Sequence, residues 1–282
     1  MSTLTITTIQ SDLRWESKAA NLQRFEELIN GIGEPTEIVV LPEMFSTGFS
    51  MKPDHLAETM DGPTMAWMKT MAAQKRVILT GSIIIEESGH YFNRLIWMLP
   101  NGHYGYYDKR HRFAFAGENE QYTAGHKRLV ASVKGWKVLL MVCYDLRFPV
   151  WSRQTPEPGQ APQEKAARRA GENNSGVAGL EYDLLLYVAN WPERRSLAWK
   201  TLLQARAIEN QCYVVGVNRV GMDGNNIYHS GDSMVVDPLG EILYQSSNKE
   251  TVSTHILKKE RLEEVRGRFP FWRDADHFSI EP

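Results

Sequence analysis

Residues 137–149 read KVLLMVCYDLRFP, and the fold of the chain turns on them. After Lys137 the run to Cys143 is unbroken apolar sequence, the pattern of a strand covered on both faces inside an α/β sheet. YDLRFP then breaks the pattern, and DLRFPVWSR predicts a short helical stretch after the strand. Cys143 falls at this strand-to-helix elbow. Open α/β sheets place ligands at the C-terminal ends of their strands. A helix N-terminus there offers free N–H groups and partial positive charge, which lower a thiol pKa and can hold an oxyanion. The competing role for a free cysteine is core filler. Cys212, within CYVVGV, has no elbow and reads as core.

Working outward, strand and helix runs alternate on both sides. Strands are predicted at 4–10 (LTITTIQ), 37–43, 77–85, 92–99, 103–109, 183–189, 212–218 and 233–238, with ILYQ and TVSTHIL in the tail. Helical spacing covers 17–30, stopped by Gly31 and Gly33, then 64–75 after Asp61 and Pro63, and 196–210. A charged helix, KKERLEEVRGR, closes the series. Interleaved elements of this kind predict an α/β or layered fold. Residues 155–180 interrupt it with three prolines, four glycines and no aromatic residue, which predicts a flexible surface insert with too little apolar surface to order itself. Similar runs lie on both sides, so the expectation is one domain over 1–282.

Composition narrows the function. The net charge is −2, which argues against nucleic acid or an acidic membrane surface as the main partner. Two cysteines are too few for a disulfide framework and suit a reducing compartment. No apolar run reaches the roughly 18 residues needed to span a bilayer, and MSTLTITTIQSD lacks the pattern of a secretory signal. A cytoplasmic protein is expected. The eight histidines show no HExxH, no paired-Cys spacing accompanies them, and the phosphate-binding and GxSxG motifs are absent. No metal site is expected.

Two further residues stand out. Glu43, in VVLPEMF, follows a buried strand, where an apolar setting strengthens a carboxylate as a proton acceptor; a solvated strand end is the plainer alternative. Lys109, in GYYDKRHRF, could set fixed positive charge beside a thiol and an oxyanion, or lie in a solvated turn.

LPEMFSTGF, YDKRHRF and VCYDLRFP, in this order and each at a strand end, resemble the motifs of the carbon–nitrogen hydrolases of the nitrilase superfamily. The likeness continues through Asn190-Trp191-Pro192, the helix ending QARAIENQ, and NRVGMDGNN to HSGDSMVVDPLGE. The resemblance implies a four-layer α-β-β-α sandwich, a Glu43–Lys109–Cys143 triad, no metal or organic cofactor, and a homodimer. The family has a second glutamate between the Lys and the Cys. Glu118 and Glu120 both qualify, and Glu118 is preferred because Gly125 follows it by the family's usual seven residues. The branch it fits best looks like ω-amidases, which hydrolyse the side-chain amide of small dicarboxylate monoamides such as 2-oxoglutaramate through a cysteine thioester.

The resemblance also implies a pocket. Tyr144, Phe113, Asn190 and Trp191 are its expected substrate contacts, with Phe45 as a further apolar wall. Arg112, Arg147 and Arg194 are candidates for the substrate carboxylate, although Arg147 is expected to pair internally with Asp145. Two other functions stay open: the same fold acting on a nitrile, an N-carbamoyl compound or another amide, and a non-catalytic interaction protein using the 155–180 insert.

Overall fold

In the computed structural model, which describes residues 2–154, 180–276 and 278–280, the strand runs assemble into two sheets. The first holds β1 (Thr3–Gln10), β2 (Ile38–Val40), β3 (Ile78–Glu87), β4 (His90–Met98) and β5 (Tyr104–Asp108). The second holds β6 (Val130–Val133), β7 (Trp136–Val142), β8 (Leu184–Ala189), β9 (Tyr213–Asn218), β10 (Val220–Met222), β11 (Tyr228–Val236) and β12 (Ile242–Ser247). The last strand, β13 (Thr251–Lys258), returns to the first sheet. The orders are β13-β1-β2-β3-β4-β5 and β10-β11-β9-β8-β7-β6, with β12 on β11. Each sheet has a parallel trio at its centre, β1-β2-β3 and β7-β8-β9, with antiparallel strands outside it. Antiparallel pairing of β1 with β13 ties the beginning of the chain to its end.

The helices among the described residues are α1 (Lys18–Asn30), α2 (Pro53–Leu56), α3 (Pro63–Lys75), α4 (Glu118–Gln121), α5 (Pro149–Ser152), α6 (Ser196–Asn210) and α7 (Lys259–Arg268). The two-residue side-chain period of the strands separates the layers. Leu4, Ile6, Ile38, Val40, Leu95 and Trp97 enter a continuous core with β7, β8 and β9. Their neighbours Ile9, Val39, Leu79, Ile96 and Met98 belong to a second core with Phe25 and Ile29 of α1 and Met65, Met68 and Met71 of α3. On the second sheet α6 packs through Trp199, Leu203 and Ala207. Gly216 of β9 admits it, since a Cβ there would stand 2.6 Å from Leu203. The resulting layers are α-β-β-α.

The run at 137–142 is buried along β7 except at Lys137, and every residue of β8 is buried. Downstream the structure departs from the predicted single helical stretch. It forms a 3₁₀ turn, Cys143–Arg147, and a separate one-turn helix from Pro149. Phe148 between them is not helical, at φ −115° and ψ 87°, because the proline ring disfavours helical backbone in the residue before it. At α3, Asp61 does not cap the helix; Glu58 accepts the Thr64 N–H at 2.8 Å instead. The predicted insert at 155–180, Leu180 apart, lies outside the described residues.

Candidate active site

Four side chains meet where strands end. Glu43 follows β2, Lys109 follows β5, Cys143 follows β7, and Glu118 opens α4 after a Gly117 in left-handed backbone. All four are buried, Cys143 keeping 9% of its surface exposed. Lys109 Nζ donates to Glu43 Oε1 at 2.9 Å and to Glu118 Oε1 and Oε2 at 2.9 and 2.8 Å. Glu118 also accepts the Phe113 N–H at 2.5 Å, whereas Glu120 is exposed. Gly125 explains part of this geometry. Its N–H donates to Lys109 O at 3.0 Å, and a Cβ on it would meet the Asp108 carbonyl oxygen at 2.0 Å.

Asn93 and Asn190 hold Glu43. Asn93 Nδ2, from β4, donates to Glu43 Oε1 at 2.8 Å and to Glu118 Oε1 at 3.3 Å. The Asn190 N–H donates to Glu43 Oε2 at 2.8 Å, and its side chain reaches the Glu43 carbonyl at 2.5 Å. Both carboxylate oxygens are thus fixed by donors before any ligand arrives. Neither Asn93 nor Glu118 could be assigned a contact from local pattern. The one signal for Asn93 was a polar residue inside the apolar run FNRLIWML.

The electrostatics follow from burial and these pairs. Burial works against the Lys109 charge, but the Glu118 and Glu43 carboxylates outweigh it and hold the ammonium above its ordinary pKa. Burial raises Glu118, opposed by Lys109 and reinforced by Glu43. Burial, and next the Glu43 carboxylate, push the Cys143 thiol well up. This corrects the expectation of a thiol lowered by a helix N-terminus: the turn is a single 3₁₀ turn in a buried site, and desolvation of the thiolate dominates. The resting group is a thiol beside a carboxylate.

Cys143 sits at φ +43°, left-handed backbone that costs a non-glycine residue about 1–3 kcal/mol. Asp145 braces the elbow. Its Oδ2 accepts the Val142 N–H at 3.0 Å and the Tyr107 hydroxyl at 2.7 Å, and its Oδ1 accepts the His111 N–H and ring Nδ1–H at 3.0 and 2.8 Å. The His111 ring stacks on Phe148 at 3.9 Å. The predicted Arg147–Asp145 pair does not form. Asp145 points inward to these donors, and Arg147 instead lies over the Trp191 ring at 5.0 Å.

Cys143 opens onto a cavity of about 470 Å³ lined by Phe113, Tyr144, Asn190 and Trp191, all predicted, and by Arg147 and Arg194. Trp15, Phe49 and Arg195 line it too and were missed: Trp15 comes from a segment whose local pattern marks no site, while Phe49 closes the LPEMFSTGF motif and Arg195 follows Arg194, and sequence alone does not say which of neighbouring side chains faces the pocket. Arg112 does not line it; its guanidinium donates to the carbonyls of Tyr122 and Asn119 at 2.9 and 3.4 Å. Phe45 is not a wall either. It is fully buried under α1 and α3, 5.5 Å from the Phe25 ring and 5.9 Å from Trp67. Among the described residues, no group of three or more His, Cys, Asp or Glu is arranged to hold a metal ion, and no helix is long and apolar enough to cross a membrane.

Known proteins are similar to this chain over most of its length. The carbon-nitrogen hydrolase family pattern matches residues 5–160 and 177–267. The omega-amidase YafV of Escherichia coli (strain K12) is 40% identical over 281 residues, covering 99% of this chain and all of that protein. A 2-oxoglutaramate amidase of Bacillus subtilis (strain 168) is 28% identical over 273 residues, 96% of each chain. A crystal structure of a CN-hydrolase superfamily protein from Xanthomonas campestris, with an arsenic adduct in its active site, superposes with a TM-score of 0.90 at 42% identity over the full length of both chains. The chain is a hydrolase, and it belongs to the carbon–nitrogen hydrolase family.

Proposed function

We propose that this enzyme is an ω-amidase that converts the terminal amide of a small dicarboxylate monoamide, of the 2-oxoglutaramate type, to the acid and ammonia. The observation that carries the reading is Lys109 bonded to both Glu43 and Glu118 beside a buried thiol at the floor of a cavity of about 470 Å³. The relatives named omega-amidase and 2-oxoglutaramate amidase support the substrate class.

Because the resting sulfur is a thiol, attack needs a base at hand, and Glu43 is the carboxylate facing it. As Sγ bonds to the amide carbon, the thiol proton passes to Glu43 and the carbonyl π pair moves to oxygen. The oxyanion is met by the Lys109 ammonium and the backbone N–H of Tyr144, which lies in the first turn where 3₁₀ donors have no partner. One such donor is typically worth about 10²–10³ in turnover. Collapse breaks the C–N bond, and Glu43 returns the proton to the departing nitrogen, giving ammonia and a thioester. Glu43 then takes a proton from water, whose hydroxide attacks the thioester. The thiolate leaves, recovers the proton from Glu43, and the free acid departs. Glu118 keeps Lys109 in place throughout.

In this reading the chain is a single catalytic domain, cytoplasmic and homodimeric, with the oligomer measurable by light scattering. The test of function is ammonia release from a panel of ω-amides, nitriles and N-carbamoyl compounds. Turnover confined to ω-amides of dicarboxylates is expected. Preference for a nitrile or N-carbamoyl compound overturns the substrate class, and loss of no activity on iodoacetamide labelling overturns the thioester.

A further inference from the structure

Three arginines, Arg147, Arg194 and Arg195, line the pocket onto which the nucleophile opens. Arg195 lies with its guanidinium 5.0 Å over the Phe113 ring, and Arg147 lies 5.0 Å over Trp191. Arg194 lines the same cavity. Among the described residues, none of the three carries a carboxylate partner. The acids on the pocket wall are engaged elsewhere. Glu16 accepts from Ser50 and Lys52 at 2.7 and 3.3 Å, and Asp223 accepts the N–H groups of Asn225 and Ile227 at 2.8 and 2.9 Å.

Arg195 is the best placed of the three. It is half-buried, while Arg147 and Arg194 are exposed. Its backbone is anchored at both ends, the N–H donating to Pro192 O at 3.0 Å and the carbonyl accepting Trp191 Nε1 at 2.8 Å. Burial, then the charges of Arg194 and Arg147, lower its pKa, while the Cys143 sulfur acts in the opposite sense, so the cation is within electrostatic reach of both its neighbours and the nucleophile. Like charges converging in a partly dry pocket repel, and an anion entering between them relieves the repulsion.

We propose that Arg195, assisted by Arg147, is the specificity-determining cation of this enzyme, taking the far carboxylate of the substrate while its amide lies at Cys143. The assignment rests on the ω-amidase reading. A planar guanidinium suits this task, since it can meet a carboxylate with two parallel N–H bonds, and the ring beneath it fixes its plane. The same cluster disfavours a substrate bearing an ammonium next to that carboxylate. A 2-oxo acid amide is therefore preferred over its 2-amino counterpart.

The experiment compares wild type, Arg195→Gln and Arg195→Lys in two assays. Ammonia release is measured on a C5 dicarboxylate monoamide and on its methyl ester, which keeps the length and removes the anion. Protection of Cys143 from iodoacetamide by 2-oxoglutarate is measured alongside. Arg195→Gln is expected to lose about 10–100-fold in kcat/KM on the carboxylate substrate, mostly through KM, while changing little on the ester. Arg195→Lys should recover part of the loss, and 2-oxoglutarate should protect wild type but not Arg195→Gln. An equal loss on acid and ester, or unchanged protection in Arg195→Gln, overturns the assignment. If wild type releases ammonia from no ω-amide yet shows Arg195-dependent protection, the carboxylate site stands and the ω-amidase reading falls.

Discussion

Asp145 grips His111 twice, accepting both its backbone N–H and its ring Nδ1–H on a single carboxylate oxygen. The bond joins the cysteine elbow to the segment that carries Lys109, so nucleophile and ammonium share one brace. Asp145→Ala removes the acceptor of four donors and leaves buried N–H and O–H groups without partners. A stability loss of about 3 kcal/mol or more is expected by urea unfolding, since each buried orphan costs about 1–3 kcal/mol. His111→Phe keeps the stack on Phe148 and should lose less stability than activity. Unfolding curves for Asp145→Ala that match wild type would refute the brace.

Cys143→Ala should lower ammonia release by at least ~10³-fold while the urea unfolding free energy changes by no more than about 1 kcal/mol. In Glu43→Gln, ammonia release should fall by a similar factor because the proton acceptor is gone, while alkylation of Cys143 by iodoacetamide at neutral pH should not slow, because a carboxylate that helps to hold the thiol up has been removed. Turnover at the wild-type rate in Glu43→Gln would assign the proton to another base.

Lys109→Met strands two fully buried carboxylates, Glu43 and Glu118. The expected cost is about 3–5 kcal/mol, the range for breaking a buried ion pair from one side. Adding Glu118→Gln to Lys109→Met should recover part of it, because one uncompensated charge disappears. A double variant less stable than the single would contradict the electrostatic origin of the loss.

His229 gives the fold an acid limit. Burial, then the Arg219 charge, lower its pKa from 6.5 to about 4. Between those values the unfolded chain binds a proton that the native protein does not, so stability falls as pH drops from about 6.5 towards 4. The contribution at stake is on the order of 3 kcal/mol. Urea midpoints measured across this window should flatten in His229→Gln; an unchanged slope would place the acid sensitivity in other groups.

Several of these residues were visible as patterns. The apolar run ending at Cys143 predicted a strand buried on both faces, and β7 lies between β6 and β8 inside the sandwich. LPE and YDK marked Glu43 and Lys109 as strand-end residues, and the structure brings both to one point with Glu118. Short-range rules also separated the helix over 196–210 from the strands around it, because each depends on the spacing of apolar side chains along a few turns. The same rules missed the break at Phe148, where one proline restricts its predecessor.

The sequence by itself determined the α/β alternation, the strand ends that carry chemistry and the family to which they point. Only the tertiary structure decided which partners those residues take: Asp145 with His111 rather than Arg147, Phe45 in the core rather than the pocket, and Arg195 rather than Arg112 beside the nucleophile. Periodicity and local motifs act over a few residues of chain. Charge pairing and burial depend on what lies across a cavity, from segments 147 residues apart in the bond between Glu43 and Asn190, and folding alone sets that distance.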